Sequence, residues 1–128
     1  MKILLDTHAF IWFDSGDSKL SSKANQLILD PNNIVLLSVA SIWEMMIKVM
    51  AGKLTLREKV ETTVKNQQTQ NNIELLAIVP NHTWTLASLP PIHKDPFDRI
   101  LVAQALVEQA TLLTTDPLIR QYPVQTEW

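Results

Sequence analysis

Short apolar runs and helical patterns alternate along the whole chain. Ile3-Leu4-Leu5 stops abruptly at Asp6, which predicts a short buried strand over Lys2 to Asp6. Thr7 is a candidate cap for a helical stretch from Ala9 to Phe13, and the polar residues around Gly16 form a loop. Ser21 or Ser22 then caps a helix reaching about Leu29, and Asp30-Pro31-Asn32-Asn33 is a turn. Ile34 to Leu37 has the length of a second strand. Ser41-Ile42-Trp43-Glu44 has a capping-box pattern that opens a helix, and Gly52 is placed to end it. Thr55-Leu56-Arg57-Glu58 repeats the device before a more exposed helix that fades into the polar stretch Asn66 to Asn72.

A third strand is expected over Ile73 to Val79, and a short helix from Asn81 through Leu86 is closed by Pro90-Pro91. The clearest helix start follows, with Asp95 as N-cap, Pro96 at the first helical position and Asp98 three residues after the cap. Ile100 to Val107 is apolar on nearly every face, so that helix is expected to be buried. Thr111 to Thr115 is the fourth strand, and Asp116-Pro117 begins a last helical turn before Tyr122-Pro123. Strands alternating with helices predict an α/β sandwich on a mainly parallel sheet. Neither repeat nor linker interrupts it, so residues 1–128 read as one domain.

Composition narrows the class. The 128 residues are 46% hydrophobic and 19% charged, ordinary for a globular protein, and contain no cysteine. Disulfides and thiolate metal sites are therefore excluded. No stretch of 18 apolar residues exists, and Ile3 to Leu5 is too short for a signal peptide, so no membrane association and a cytoplasmic location are expected. The net charge of −2 argues weakly against a non-specific nucleic-acid binder. Basic residues nevertheless gather after Glu44, at Lys48, Lys53, Arg57, Lys59 and Lys65.

Four acids fall where a parallel sheet builds its sites, beyond the carboxyl ends of the strands. Asp6 and Asp116 end predicted strands, and Glu44 and Asp98 fall in the first turns of two helices expected to be largely buried. Unit charges 4 Å apart repel by about 4 kcal/mol at an effective dielectric of about 20, so such a cluster calls for a cation. An all-oxygen carboxylate set suits Mg²⁺ or Mn²⁺, and such a site activates water against a phosphodiester. Each acid also has a local reading. Asp98 and Glu44 are both placed as capping-box acids, with Lys48 one turn beyond Glu44, and Asp116 precedes a proline as an N-cap would. Only Asp6 lacks an obvious local reason. His8 and His93 are read as capping, hydrogen-bonding or surface residues rather than ligands. Trp43, Trp84, Met45, Met46 and Met50 are read as core or interface.

Leu4-Leu5-Asp6-Thr7-His8-Ala9, Ser41-Ile42-Trp43-Glu44, Gly52-Lys53-Leu54, His93-Lys94-Asp95-Pro96-Phe97-Asp98-Arg99 and Leu112-Leu113-Thr114-Thr115-Asp116-Pro117 together resemble the PIN-domain ribonucleases. More narrowly, they resemble the VapC toxins of type II toxin–antitoxin pairs, along essentially the whole chain. The resemblance implies a three-layer α/β/α sandwich around a mainly parallel sheet of four to five strands. It also implies an endoribonuclease that needs Mg²⁺ or Mn²⁺, is held inactive by a cognate antitoxin, and forms a homodimer. DNA would be met only indirectly, through the antitoxin. The motifs carry Asp6, Glu44, Asp98 and Asp116 over as catalytic and metal-binding acids, with Thr7 and Thr114 or Thr115 in support. Lys48, Lys53, Arg57 and Arg99 are candidates for contact with substrate phosphates.

Other classes fit less well. A dinucleotide binder would need a glycine-rich turn after the first strand, and the chain has two glycines in all. A phosphoacceptor domain would want an aspartate ending a central strand, where Ile34 to Leu37 ends on Ser38. The alternative from another class is a non-catalytic protein- or RNA-interaction module with the same fold.

Overall fold

The computed structural model describes residues 1–128. Its centre is a five-stranded parallel sheet in the order β3-β2-β1-β4-β5, with β1 Lys2–Leu5, β2 Ile34–Ser38, β3 Glu74–Leu76, β4 Thr111–Leu113 and β5 Thr126–Glu127. Strand β1 pairs with β2 through Leu4 opposite Leu36, and with β4 through Leu4 opposite Leu112. Successive side chains alternate between faces. Leu4, Leu36 and Leu112 therefore join one core, and Ile3, Leu5, Val35, Leu37 and Leu113 join the other. Burial on both faces explains why these strands read as unbroken apolar runs.

Six helices cover the sheet: α1 Thr7–Ser15, α2 Ser22–Leu29, α3 Val39–Met50, α4 Val60–Asn71, α5 Pro80–Thr85 and α6 Pro96–Glu108. Phe10, Ala24, Ile28, Met45, Val60 and Val64 from the first four close one core. Helix α6 supplies Ile100 to Ala103 and Ala105 to the other, beside Ala40 of α3. Asp95 caps α6 as expected, its side chain accepting from Phe97 N at 2.8 Å.

Several boundaries differ from the expected ones: β3 covers only Glu74–Leu76 of the expected Ile73 to Val79, and β4 ends at Leu113 rather than Thr115. Helix α1 is capped by Asp6, not Thr7, because the Asp6 amide still donates to Leu113 of the sheet (3.1 Å) while its side chain accepts from Ala9. Helix α3 starts at Val39, straight out of β2, with Ser38 as N-cap; Glu44 lies in its second turn and is no capping-box acid. Helix α4 starts at Val60 rather than near Thr55, and it buries Val60 and Val64 in the core together with the polar Thr63 and Gln67. It then runs through the polar stretch to Asn71.

The chain leaves β1 on one side for β2 and returns on the other to β4. This reversal makes the carboxyl ends of β1 and β4 the topological switch point, where parallel sheets leave a crevice.

Candidate active site

A cleft of about 250 Å³ opens at that switch point, and Asp6, Glu44, Asp98 and Asp116 all line it. Each comes from a different element: the end of β1, the second turn of α3, the first turn of α6 and the segment after β4. His8 and Trp12 of α1, Lys48 of α3, Asp95 and Thr115 complete the rim.

Asp6 is buried, and its Oδ1 accepts from Ala9 N at 2.7 Å. Burial pushes its carboxyl above the usual range, opposed by the Thr114 hydroxyl, the Ala9 amide and nearby His8. The acid with no obvious local purpose in the sequence thus has one, as a helix cap. Glu44 is 4% exposed and fully partnered. Thr7 donates to its Oε1 at 2.6 Å, the Ser41 hydroxyl stands 3.0 Å from that of Thr7, and the Lys48 ammonium donates to Oε2 at 2.7 Å. Thr7 therefore orients Glu44.

Asp98 differs from both. Its side chain accepts no hydrogen bond from the protein, although His93 Nε2 stands 3.1 Å from its Oδ2; Asp95 caps the helix, and the Asp95 amide is taken by His93 Nδ1 at 3.1 Å. The capping-box reading of Asp98 is thereby removed. Its carboxyl is pushed up to about 7 by burial first and then by the charge of Asp95, with Glu44 and Asp116 adding and His93 opposing. Asp116 accepts from Leu118 N through Oδ1 (2.8 Å) and from His93 Nε2 through Oδ2 (3.0 Å). Burial would raise it, but the hydrogen bonds from His93 and the Leu118 amide hold it below the ordinary carboxylate range.

Of the basic candidates, only Lys48 lines the cleft. Lys53 is exposed just beyond α3. Arg57 donates to the Asp14 carbonyl (2.8 Å), beside a separate polar hollow. Arg99 is turned to the Pro90 and Leu86 carbonyls and the Tyr122 hydroxyl. Thr115 lines the cleft, whereas its neighbour Thr114 is buried and accepts from the Asp116 amide at 3.0 Å. His93, read from the sequence as a capping, hydrogen-bonding or surface residue, is hydrogen-bonded inside the site. It reaches Asp116 across 23 positions, and only its place in the same motif as Asp98 hinted at the site.

The donor set fits a hard divalent cation. It offers carboxylate oxygens with free lone pairs, and burial together with the neighbouring acids raises Asp98 to about 7, which a cation would reverse. Lys48 already answers Glu44. Asp6, Glu44, Asp98 and Asp116 are the residues able to hold such an ion.

Comparison with known proteins agrees with this architecture. The chain is similar to Ribonuclease VapC22 of Mycobacterium tuberculosis, 26% identical over 121 residues that cover 94% of this chain and 91% of that one. The structure of VapBC2 from Rickettsia felis bound to a DNA fragment from their promoter superposes with a TM-score of 0.75 at 17% identity, covering 99% of this chain and 98% of that one. VapBC-1 from nontypeable Haemophilus influenzae gives a TM-score of 0.64 at 16% identity, over 99% and 97% of the two chains. These two likenesses establish the fold. The PIN domain family model matches residues 3–124, nearly the full length, and with four acids gathered at the switch point of the sheet the chain belongs to the PIN domain family.

Proposed function

We propose that the protein is a divalent-metal-dependent endoribonuclease and the toxin of a toxin–antitoxin pair. The observation that carries the reading is Asp98, whose carboxyl accepts no hydrogen bond from the protein and faces three other acids in one cleft. Asp6, Glu44, Asp98 and Asp116 would hold a Mg²⁺ or Mn²⁺ ion, which would supply charge to activate water and to offset charge on a phosphodiester. The residues do the rest. Thr7 and Lys48 fix Glu44, the α1 amide fixes Asp6, and Lys48 with exposed Lys53 offers positive charge for neighbouring phosphates. RNA as substrate is supported by the ribonuclease named among the relatives.

An antitoxin partner is supported by the VapBC assemblies among the structural neighbours. A homodimer is supported by an uncovered apolar face: Trp43, Met46, Ile47 and Met50 of α3, with Trp84 of α5, are all exposed. Trp43 there packs edge-to-face on Phe97 with ring centroids 5.2 Å apart. Isolated surface apolar residues are routine, but the four of α3, spaced i, i+3, i+4 and i+7 on one helix, mark an interaction surface. No helix is long and apolar enough to cross a membrane.

The test is cleavage of single-stranded RNA, with single-stranded DNA in parallel, by purified protein in Mg²⁺, in Mn²⁺ and in excess chelator. RNA cleavage that disappears in chelator is expected. Full activity at verified negligible metal removes the metal dependence. RNA binding without cleavage in any metal favours the non-catalytic module.

A further inference from the structure

His93 Nε2 lies 3.0 Å from Asp116 Oδ2 and 3.1 Å from Asp98 Oδ2, and the three groups together have the composition of a metal site. The other ring nitrogen decides between ligand and donor. Nδ1 receives the Asp95 amide at 3.1 Å, so Nδ1 is an acceptor and carries no proton. The ring proton is therefore on Nε2, which donates to Asp116. A metal-binding histidine needs the reverse arrangement, a bare nitrogen toward the ion and N–H toward an acceptor behind it.

We infer that His93 is a positioning residue of the cleft, locked by the Asp95 amide as the Nε2–H donor that orients the Asp116 carboxylate, and not itself a metal ligand. The ring is aimed from behind. The His93 amide donates to the Tyr122 hydroxyl at 2.8 Å, and Arg99 donates to the same oxygen at 3.1 Å while it binds the Pro90 and Leu86 carbonyls. Tyr122 is 3% exposed, so the loop before α6 is pinned to the core. Arg99 thus acts on the cleft through this loop. The chain uses the same device elsewhere: buried His82 receives the Val79 amide on Nδ1 (3.1 Å) and has Glu108 Oε2 2.8 Å from Nε2. There it links α5 to α6; at His93 it links the start of α6 to the segment after β4. With Oδ1 tied to the Leu118 amide and Oδ2 to His93, Asp116 presents a fixed face to whatever binds among the four acids.

The consequence for metal binding rests on the metal-site reading above, but the tautomer does not. Long-range ¹H–¹⁵N correlation spectra of the metal-free protein should show His93 protonated at Nε2 and bare at Nδ1, unchanged when Mg²⁺ is added to saturation. An Nδ1–H form, or loss of the Nε2 proton on adding Mg²⁺, overturns the inference in favour of direct ligation. Calorimetric Mn²⁺ affinity supplies the second readout. His93→Phe should weaken binding about 10- to 100-fold, and His93→Gln, whose amide still donates, should recover most of it. In an Asp116→Asn background the His93→Phe change should have little further effect, since the histidine acts through that carboxylate. An undiminished His93 effect in that background, or wild-type affinity in His93→Phe, also overturns the inference. Should the wild-type chain bind no divalent ion, the metal reading fails, and the tautomer alone decides the role of His93.

Discussion

The two walls of the cleft hold the same kind of residue in opposite ways. On the α1–α3 wall, Asp6 and Glu44 are 6% and 4% exposed, yet the chain provides for them: a helix amide for Asp6, and the Thr7 hydroxyl and Lys48 for Glu44. On the α6–β4 wall, the Asp98 and Asp116 side chains are more open, at 20% and 28%. Only Asp116 receives protein donors there. Burial raises both Asp6 and Asp98. Hydrogen bonds pull Asp6 back, while for Asp98 the neighbouring carboxylates push further. An acid surrounded by acids and given no hydrogen bond is the one whose charge has to be answered from outside the chain.

The largest test of this contrast is Asp98→Asn. Removing the unanswered charge should reduce RNA cleavage at least about 100- to 1000-fold, the scale for losing one electrostatic element of a site. Metal-free thermal stability should hold or rise, as repulsion is relieved. A variant that simply unfolds would return Asp98 to a structural role. Next comes the better-supplied wall. Thr7→Val takes the hydroxyl from Glu44 Oε1 and leaves a buried carboxylate oxygen short of a donor, at a cost of about 1–3 kcal/mol in urea unfolding. Metal affinity should fall about 10- to 100-fold with it. Unchanged stability and affinity would mean that the 2.6 Å contact orients nothing.

The pH dependence of the metal-free protein separates the walls more finely. Asp98 titrates at about 7 when folded and near 3.8 when unfolded, so the folded state holds its proton more tightly. The resulting stability is complete below about pH 4 and is lost as pH rises toward and through 7. Asp6, also raised, acts in the same direction; Asp116, lowered, acts with the opposite sign and only below the normal carboxylate range. Thermal melts in chelator should therefore drop between pH 4 and pH 7, by less in Asp98→Asn. Melts of wild type that rise over this range would contradict the contrast. The smallest effect expected is from Asp95→Asn. Asparagine caps a helix about as well as aspartate, so stability should move by no more than about 0.5 kcal/mol. The Asp98 titration followed by NMR should move downward, because one of its repelling neighbours is gone.

Several features of this molecule were decided locally and could be read from the chain alone. Asp95-Pro96 starts a helix because the side chain and the ring satisfy requirements that lie within one turn. The apolar runs of β1, β2 and β4 are strands because a sheet covered on both faces leaves them no polar position. With alternating helices, those strands place Asp6 and Asp116 at the same edge. Other features depended on partners far along the chain. Ser38 and Ser41 are equally good caps by composition, and the start of α3 was settled by Ala40 packing against the sheet and α6. Asp6 displaced Thr7 as a cap because the ladder with β4 runs one residue further than β1 itself. Lys53, Arg57 and Arg99 look alike in sequence. Packing leaves the first in water, while Arg57 and Arg99 spend their donors on backbone carbonyls. His93 is the sharpest case. Its tautomer is set by an amide two residues away, but its purpose exists only once α6 packs on β4 and Asp116 comes within 3.0 Å. No periodicity encodes that approach, since it is made by α6 and β4 packing together and bringing the residues before one and after the other into contact across 23 positions.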